Sequence, residues 1–134
     1  MVAGFLLILV FGVIDVGRVL FTRIAIVDAA QEGAVFAAFE DEVGGTALDR
    51  THIENRTIAA IDSPTIEAAD ITVTCYVDGS GDRTAYAIEV MVEHDIDLVT
   101  PFLSQIYPQV RIEKSSRSER YLGGCPTNTT VVNT

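Results

Sequence analysis

The first fourteen residues, MVAGFLLILVFGVI, carry no charge, and no proline occurs in the first forty. Asp15 and Arg18 interrupt the apolar run, Val19, Leu20 and Phe21 resume it, and residues 24–27 extend it into the alanine-rich stretch AIVDAAQEGAVFAAFE. This pattern predicts one continuous helix from about residue 2 to about residue 40, close to 60 Å long at 1.5 Å per residue. That is about twice the hydrocarbon thickness of a bilayer. A signal peptide fits poorly, because no basic residue precedes the apolar run and the helical pattern does not stop after it. An ordinary core helix would be amphipathic, whereas residues 5–11 are apolar on every face. A transmembrane anchor fits better, although the wholly uncharged stretch is shorter than the usual span of about 18 residues.

Asp15 and Arg18 lie three positions apart, so their side chains can meet on one helix face; they are expected to pair within the helix or across neighbouring helices. Pairing would lower the cost of placing both charges in an apolar setting, more readily among packed helices than against lipid. Small residues recur through the segment, among them Gly4, Gly12, Gly17, Ala25, Ala29, Ala30, Gly33, Ala34, Ala37 and Ala38. Such residues let helix backbones approach closely, and an interior glycine costs about 1 kcal/mol relative to alanine unless packing offsets it.

Two strings within this helix, FGVIDVGR (residues 11–18) and DAAQEGAVFAA (residues 28–38), resemble the N-terminal signature of TadE-like pilins of the tight-adherence system, a branch of the type IV pilin class. The resemblance covers about the first 40 residues closely; beyond them it extends only to strands near the end and a charged E-x-x-x-S-R-S-E stretch. It implies a structural subunit of an extracellular filament that is anchored in the membrane before assembly. The helix would then pack against copies of itself, with a pilus assembly machinery as partner and adhesion as the purpose. The alternative is a minor pilin or a membrane-anchored envelope protein that does not form the bulk of a fibre. The residues assigned to the assembly helix are Phe5, Leu6, Leu7, Leu9, Phe11, Gly12, Ile14, Asp15, Gly17, Arg18, Phe21, Glu32 and Gly33. One departure stands out: family members carry a glutamate soon after the leader cleavage point, whereas Phe5 occupies position 5 here and no glutamate precedes Glu32. Aligned on FGVIDVGR, the family's glutamate falls upstream of Met1, so no N-terminal assembly carboxylate is assigned.

The expected fold class is α+β, with a hydrophobic helix over residues 1–42, a globular head over 43–122 and a tail over 123–134. Gly44 and Gly45 break the first helix. Residues 47–61 resume helical spacing through Leu48, Ile53, Ile58, Ala59 and Ile61, and Pro64 ends the element. ITVTCYV over 71–77 alternates like a strand, as do residues 85–95 and 109–118. Residues 78–82 read as the turn of a hairpin, and residues 101–107 as a short helical turn or loop ended by Pro108. The expected head is a three- or four-stranded antiparallel sheet with the second helix packed on it. So small a head is marginal at about 25 cal/mol per Å2 of buried apolar area.

The net charge of −10 repels phosphate backbones and argues against a nucleic-acid partner. Two cysteines, Cys75 and Cys125, lie too far apart for a C-x-x-C redox or zinc motif. If the head is exported, one bridge between them is the natural reading; otherwise they are two buried thiols. No motif joins His52 or His94 to a nucleophile, so no catalytic residue, cofactor or metal is assigned. Glu93, His94, Asp95 and Asp97 form a polar cluster best read as a solvated strand end, and Asp78, Ser80 and Asp82 match only the first half of a calcium loop. Asn55 and Asn128 head N-x-[ST] tripeptides and are candidate N-glycosylation sites.

Overall fold

The computed structural model describes residues 2–40, 42–43, 46–77, 85–100, 109–122 and 124–133. Helix α1 spans Val2–Phe39 without a break, as the proline-free sequence predicts. A minimal hairpin follows, β1 (Glu42–Val43) paired with β2 (Thr46–Ala47). Helix α2 covers Arg50–Ala59, shorter at both ends than the expected 47–61. Its start is fixed by Asp49, whose carboxylate accepts from the His52 amide at 2.9 Å while its own amide donates to His52 Nδ1. This reciprocal cap satisfies two backbone donors at once. A 3-10 turn, Ala68–Asp70, leads into strand β3 (Ile71–Val77), followed by β4 (Ala85–Asp97), β5 (Gln109–Leu122) and β6 (Thr130–Asn133).

The sheet runs β5-β4-β3-β6. Strands β3, β4 and β5 are antiparallel, with Ile71 opposite Val92 and Val90 opposite Ser116. The α+β class holds, but the expectation of a wholly antiparallel sheet is corrected: β6 lies parallel to β3, with Val131 opposite Cys75. The tail can reach that edge because it is tied twice. Cys125 is bonded to Cys75, and Thr127 exchanges backbone hydrogen bonds with Leu48 and Arg50 beside the start of α2. Asn128 turns the chain between these ties at φ 64°, a left-handed conformation that asparagine tolerates better than most residues.

The alternation in β3 appears as burial, with Ile71, Val73, Cys75 and Val77 inward and Thr72 exposed. Ile88, Val90, Val92, Ile96 and Ile112 complete the inward face. The layer that covers this face is mainly the second half of α1, through Ile26, Ala30, Ala34 and Ala37. Helix α2 packs chiefly against α1 and meets the sheet mainly along β3, so the expectation that α2 is the main covering helix is also corrected. The reason lies in side-chain size. Alanines spaced three and four apart give α1 a flat face that can lie close on a β-sheet of branched residues. The expected hairpin turn at 78–82 and helical turn at 101–107 lie outside the described residues, as do Gly44, Gly45 and Gly123.

Candidate functional site: the apolar helix and its junction with the head

The first turns of α1 are exposed around the helix among the described residues. Phe5 is 68% exposed, and Leu6, Leu7, Ile8, Leu9, Val10, Val13 and Ile14 are each about half exposed or more. Among the described residues this is one helix, Ala3–Phe39, long and apolar enough to cross a membrane. Fully covering a large apolar side chain is worth about 1.5–3 kcal/mol. For the large apolar side chains between Phe5 and Ile14, the favourable energy left unrealised is on the order of 10 kcal/mol. Gly12 and Gly17 lie in the same region, and a Cβ at either would meet nothing within 4 Å. Among the described residues no contact explains these two glycines.

The exposed region ends at Asp15. This carboxylate is only 3% exposed. Its Oδ1 accepts from the Val99 amide at 3.0 Å, and its Oδ2 accepts from the Thr100 amide at 2.8 Å and from the Thr100 hydroxyl. The expected Asp15–Arg18 pair is therefore not formed within the helix. Asp15 points into the head and finds its donors in the segment after β4. Arg18, rotated about 60° around the helix (three residues at 3.6 per turn), is exposed, and its Nη1 donates to the Asp97 carbonyl at 3.4 Å. Arg18 also borders an open groove of about 530 Å3 lined by Phe21, Thr22, Pro64, His94 and Asp97.

Beyond Asp15 the helix becomes two-sided. Ile26, Ala29, Ala30, Ala34, Ala37 and Ala38 are buried, while Val16, Leu20, Phe21, Ile24, Val35 and Phe39 remain exposed. Glu32 is engaged by Arg56 of α2, whose Nε donates at 2.9 Å and whose guanidinium also sits 5.9 Å from the centre of the Phe36 ring. Gly33 is where α2 crosses: a Cβ there would collide with Thr57 Oγ1, a hydroxyl that is itself buried and donates to the Ile53 carbonyl at 2.8 Å. Of the residues assigned to the assembly helix, Glu32 and Gly33 are thus turned to the chain's own head, and Phe5, Leu6, Leu7, Leu9, Phe11, Ile14 and Phe21 face outward.

The exposed turns, the Asp15 junction and the first small residues of the buried half occupy one contiguous stretch. Residues 1–35 match the model of the TadE-like protein family. No curated protein and no solved structure matches the chain. The matched segment contains the exposed turns of the helix that precede Asp15, Asp15 itself and Gly33, whereas Val99, Thr100 and the rest of the head lie outside the match.

The remaining candidates are placed as follows. Cys75 and Cys125 form a disulfide. Glu93 and Asp95 face Arg111, whose Nε donates to Asp95 Oδ1 at 3.0 Å. That bond holds the Asp95 carboxyl below its ordinary range and raises Arg111. Asp97 accepts from Gln109 Nε2 at 3.0 Å. Among the described residues no cluster of three His, Cys, Asp or Glu side chains is arranged to hold a metal; Asp78, Ser80 and Asp82 lie outside them. The two N-x-[ST] tripeptides differ. Thr57, the third residue of the Asn55 triplet, is fully buried with its hydroxyl engaged, whereas Asn128 and Thr130 are both exposed. On the outer sheet face, Tyr76 donates to Glu89 Oε2 at 2.6 Å and the Arg117 guanidinium lies 4.4 Å from the centre of the Tyr76 ring.

Sequence reasoning missed Val99 and Thr100. The donors are mainly backbone amides more than eighty residues away from Asp15, and no residue type marks them. The one available signal was Asp15 itself, an acid in an apolar helix that required a partner from somewhere.

Proposed function

We propose that this chain is a structural subunit of a tight-adherence pilus. Its exposed helix is held in the membrane before assembly and is afterwards buried among copies of itself in a helical filament, with the head outermost and available for adhesion. One observation carries the reading: a continuous helix, apolar on every face, emerges from a folded and disulfide-tied head. Such a helix requires a sheath, and lipid and sister helices are interchangeable sheaths because both are apolar. The match of the same residues to the TadE-like family, a pilus-associated structural family, supports it. Gly12 and Gly17, which meet nothing among the described residues, lie where close helix approach would use them.

A second reading is a minor subunit or an anchored envelope protein. Asp15 favours it, because this acid of the apolar helix is already bound by the chain's own head. Electron microscopy of sheared surface material, with mass spectrometry of its protein, separates the two. The leading reading expects filaments in which this chain is the most abundant protein. Filaments in which it is a trace component, or its confinement to the membrane fraction, would favour the second. If the chain is N-glycosylated, the sugar belongs on Asn128 and not on Asn55.

A further inference from the structure

The junction at Asp15 does more than join helix and head; it brackets how deep the helix can sit. We propose that the underside of the head, formed by residues 97–100 and the facing turn of α1, is a seat for a phospholipid surface. In this seat the helix is immersed to Ile14 and Asp15, Val99 lies in the lipid boundary, and Arg18 and Asp97 remain among the headgroups. The inference rests on the membrane-anchoring part of the proposed function and adds depth and orientation to it.

Three observations set the level. Below the junction every described side chain of α1 is uncharged, and Val99 presents an apolar side chain that is 52% exposed next to them. At the junction the one charge, on Asp15, is enclosed: two amides and a hydroxyl of Val99 and Thr100 satisfy it, and Thr100 itself is 2% exposed. A carboxylate facing hydrocarbon without donors is strongly disfavoured, and here the head supplies those donors itself. Immediately above, charge is exposed on both elements. Arg18 stands one turn up the helix, and Asp97, Asp95 and Arg111 lie at the end of the sheet. The Arg18 guanidinium holds only the Asp97 carbonyl among the contacts described, and an arginine at this height suits a lipid phosphate. The boundary therefore falls between Val99 and Asp97.

The chain contains no tryptophan, so single reporters can be read directly. The full-length protein is placed in phosphatidylcholine–phosphatidylglycerol nanodiscs containing lipids brominated near the headgroup or deep in the acyl chain. Val99→Trp should lose most of its emission to the shallow bromine. Val131→Trp should lose none, because Val131 lies level with Ile88 across the sheet, nine residues up β4 from Asp97, or about 30 Å at 3.3 Å per residue. Leu9→Trp should be quenched by the deep bromine. Should Leu9→Trp be quenched while Val99→Trp behaves like Val131→Trp, anchoring stands and the seat is wrong. Should Leu9→Trp also escape, the anchoring reading fails and the seat falls with it. Shielding of Val99→Trp from both bromine and aqueous acrylamide would put protein, not lipid, on this surface and overturn the proposal. A nitroxide on Val99→Cys, read by oxygen and nickel-chelate accessibility, repeats the measurement with a smaller change in the fold.

Discussion

The two halves of α1 are similar in composition and opposite in circumstance. Both are rich in aliphatic and small residues, and neither contains proline. Yet residues 3–14 are largely exposed, while Ile26, Ala30, Ala34 and Ala37 are sealed against the sheet. The first half is apolar throughout, whereas the second carries Asp28, Gln31 and Glu32; what decides is where these fall along the helical period. In the second half the small residues recur every three or four positions with polar ones between them, which defines a single inward face. In the first half no face is distinguished, so the folded chain has nothing to turn inward. An evenly apolar helix is a demand for an external sheath, whereas a striped one is satisfied by its own domain.

The largest expected effect tests whether the halves are energetically separate. Replacing Cys75 and Cys125 with serine removes a tie across 50 residues of sequence, worth about 4 kcal/mol in the chain-entropy model. In detergent, hydrogen exchange should then accelerate in the sheet and at residues 26–38 while residues 3–14 keep their protection. If both halves lose protection together, α1 is one cooperative unit and the contrast drawn above is wrong. A smaller effect sharpens the contrast with one methyl group in each half. Gly33→Ala places a carbon against Thr57 Oγ1 and should destabilise the head by about 1–3 kcal/mol through overpacking. Gly12→Ala enters open space and should leave the monomer unchanged or up to about 1 kcal/mol more stable. Denaturant midpoints measure both. Adding Thr57→Ala to Gly33→Ala should recover part of the loss, which a double-mutant cycle detects as coupling; strict additivity would remove Thr57 as the cause.

How much of this could be seen in the residues alone varies with the range of the interaction. The extent of α1, the alternation of β3 and the β3–β4 pairing follow from local pattern and appear as expected. The start of α2 was misplaced because Leu48 shares the apolar spacing of the helix, although Asp49 with its cap to His52 sets the boundary. The parallel edge strand β6 was not anticipated, since a short Thr-Val-Val-Asn run has no pattern of its own and is positioned by the disulfide and by Thr127. The junction at Asp15 was misassigned for the same kind of reason. Its nearest opposite charge in sequence, Arg18, is local, but its actual donors belong to a segment that only the tertiary fold brings near.

The smallest expected effect separates the halves by their response to acid. Residues 3–14 contain no titrating side chain, so the helicity of that half in detergent should not change between neutral and mildly acid pH. The outer face of the sheet should respond. The Tyr76 hydroxyl bonded to Glu89 holds this carboxyl below its ordinary value, with further help from Ser115 and the Arg117 guanidinium. A group whose folded pKa is depressed contributes stability above its unfolded pKa, about 4.3 for glutamate. That contribution is lost as pH falls through the lower folded value. Asp95, lowered chiefly by its bond to Arg111, has the same sign. The Glu89 contribution should be well under about 1 kcal/mol, because solvent screens a partly exposed group. Glu89→Gln and Tyr76→Phe should each make the stability of the head fall less steeply with acid below about pH 5, and both should leave residues 3–14 unaffected. An equal acid response in both variants and the parent chain would show that Glu89 is not held by Tyr76 in the way the 2.6 Å bond implies.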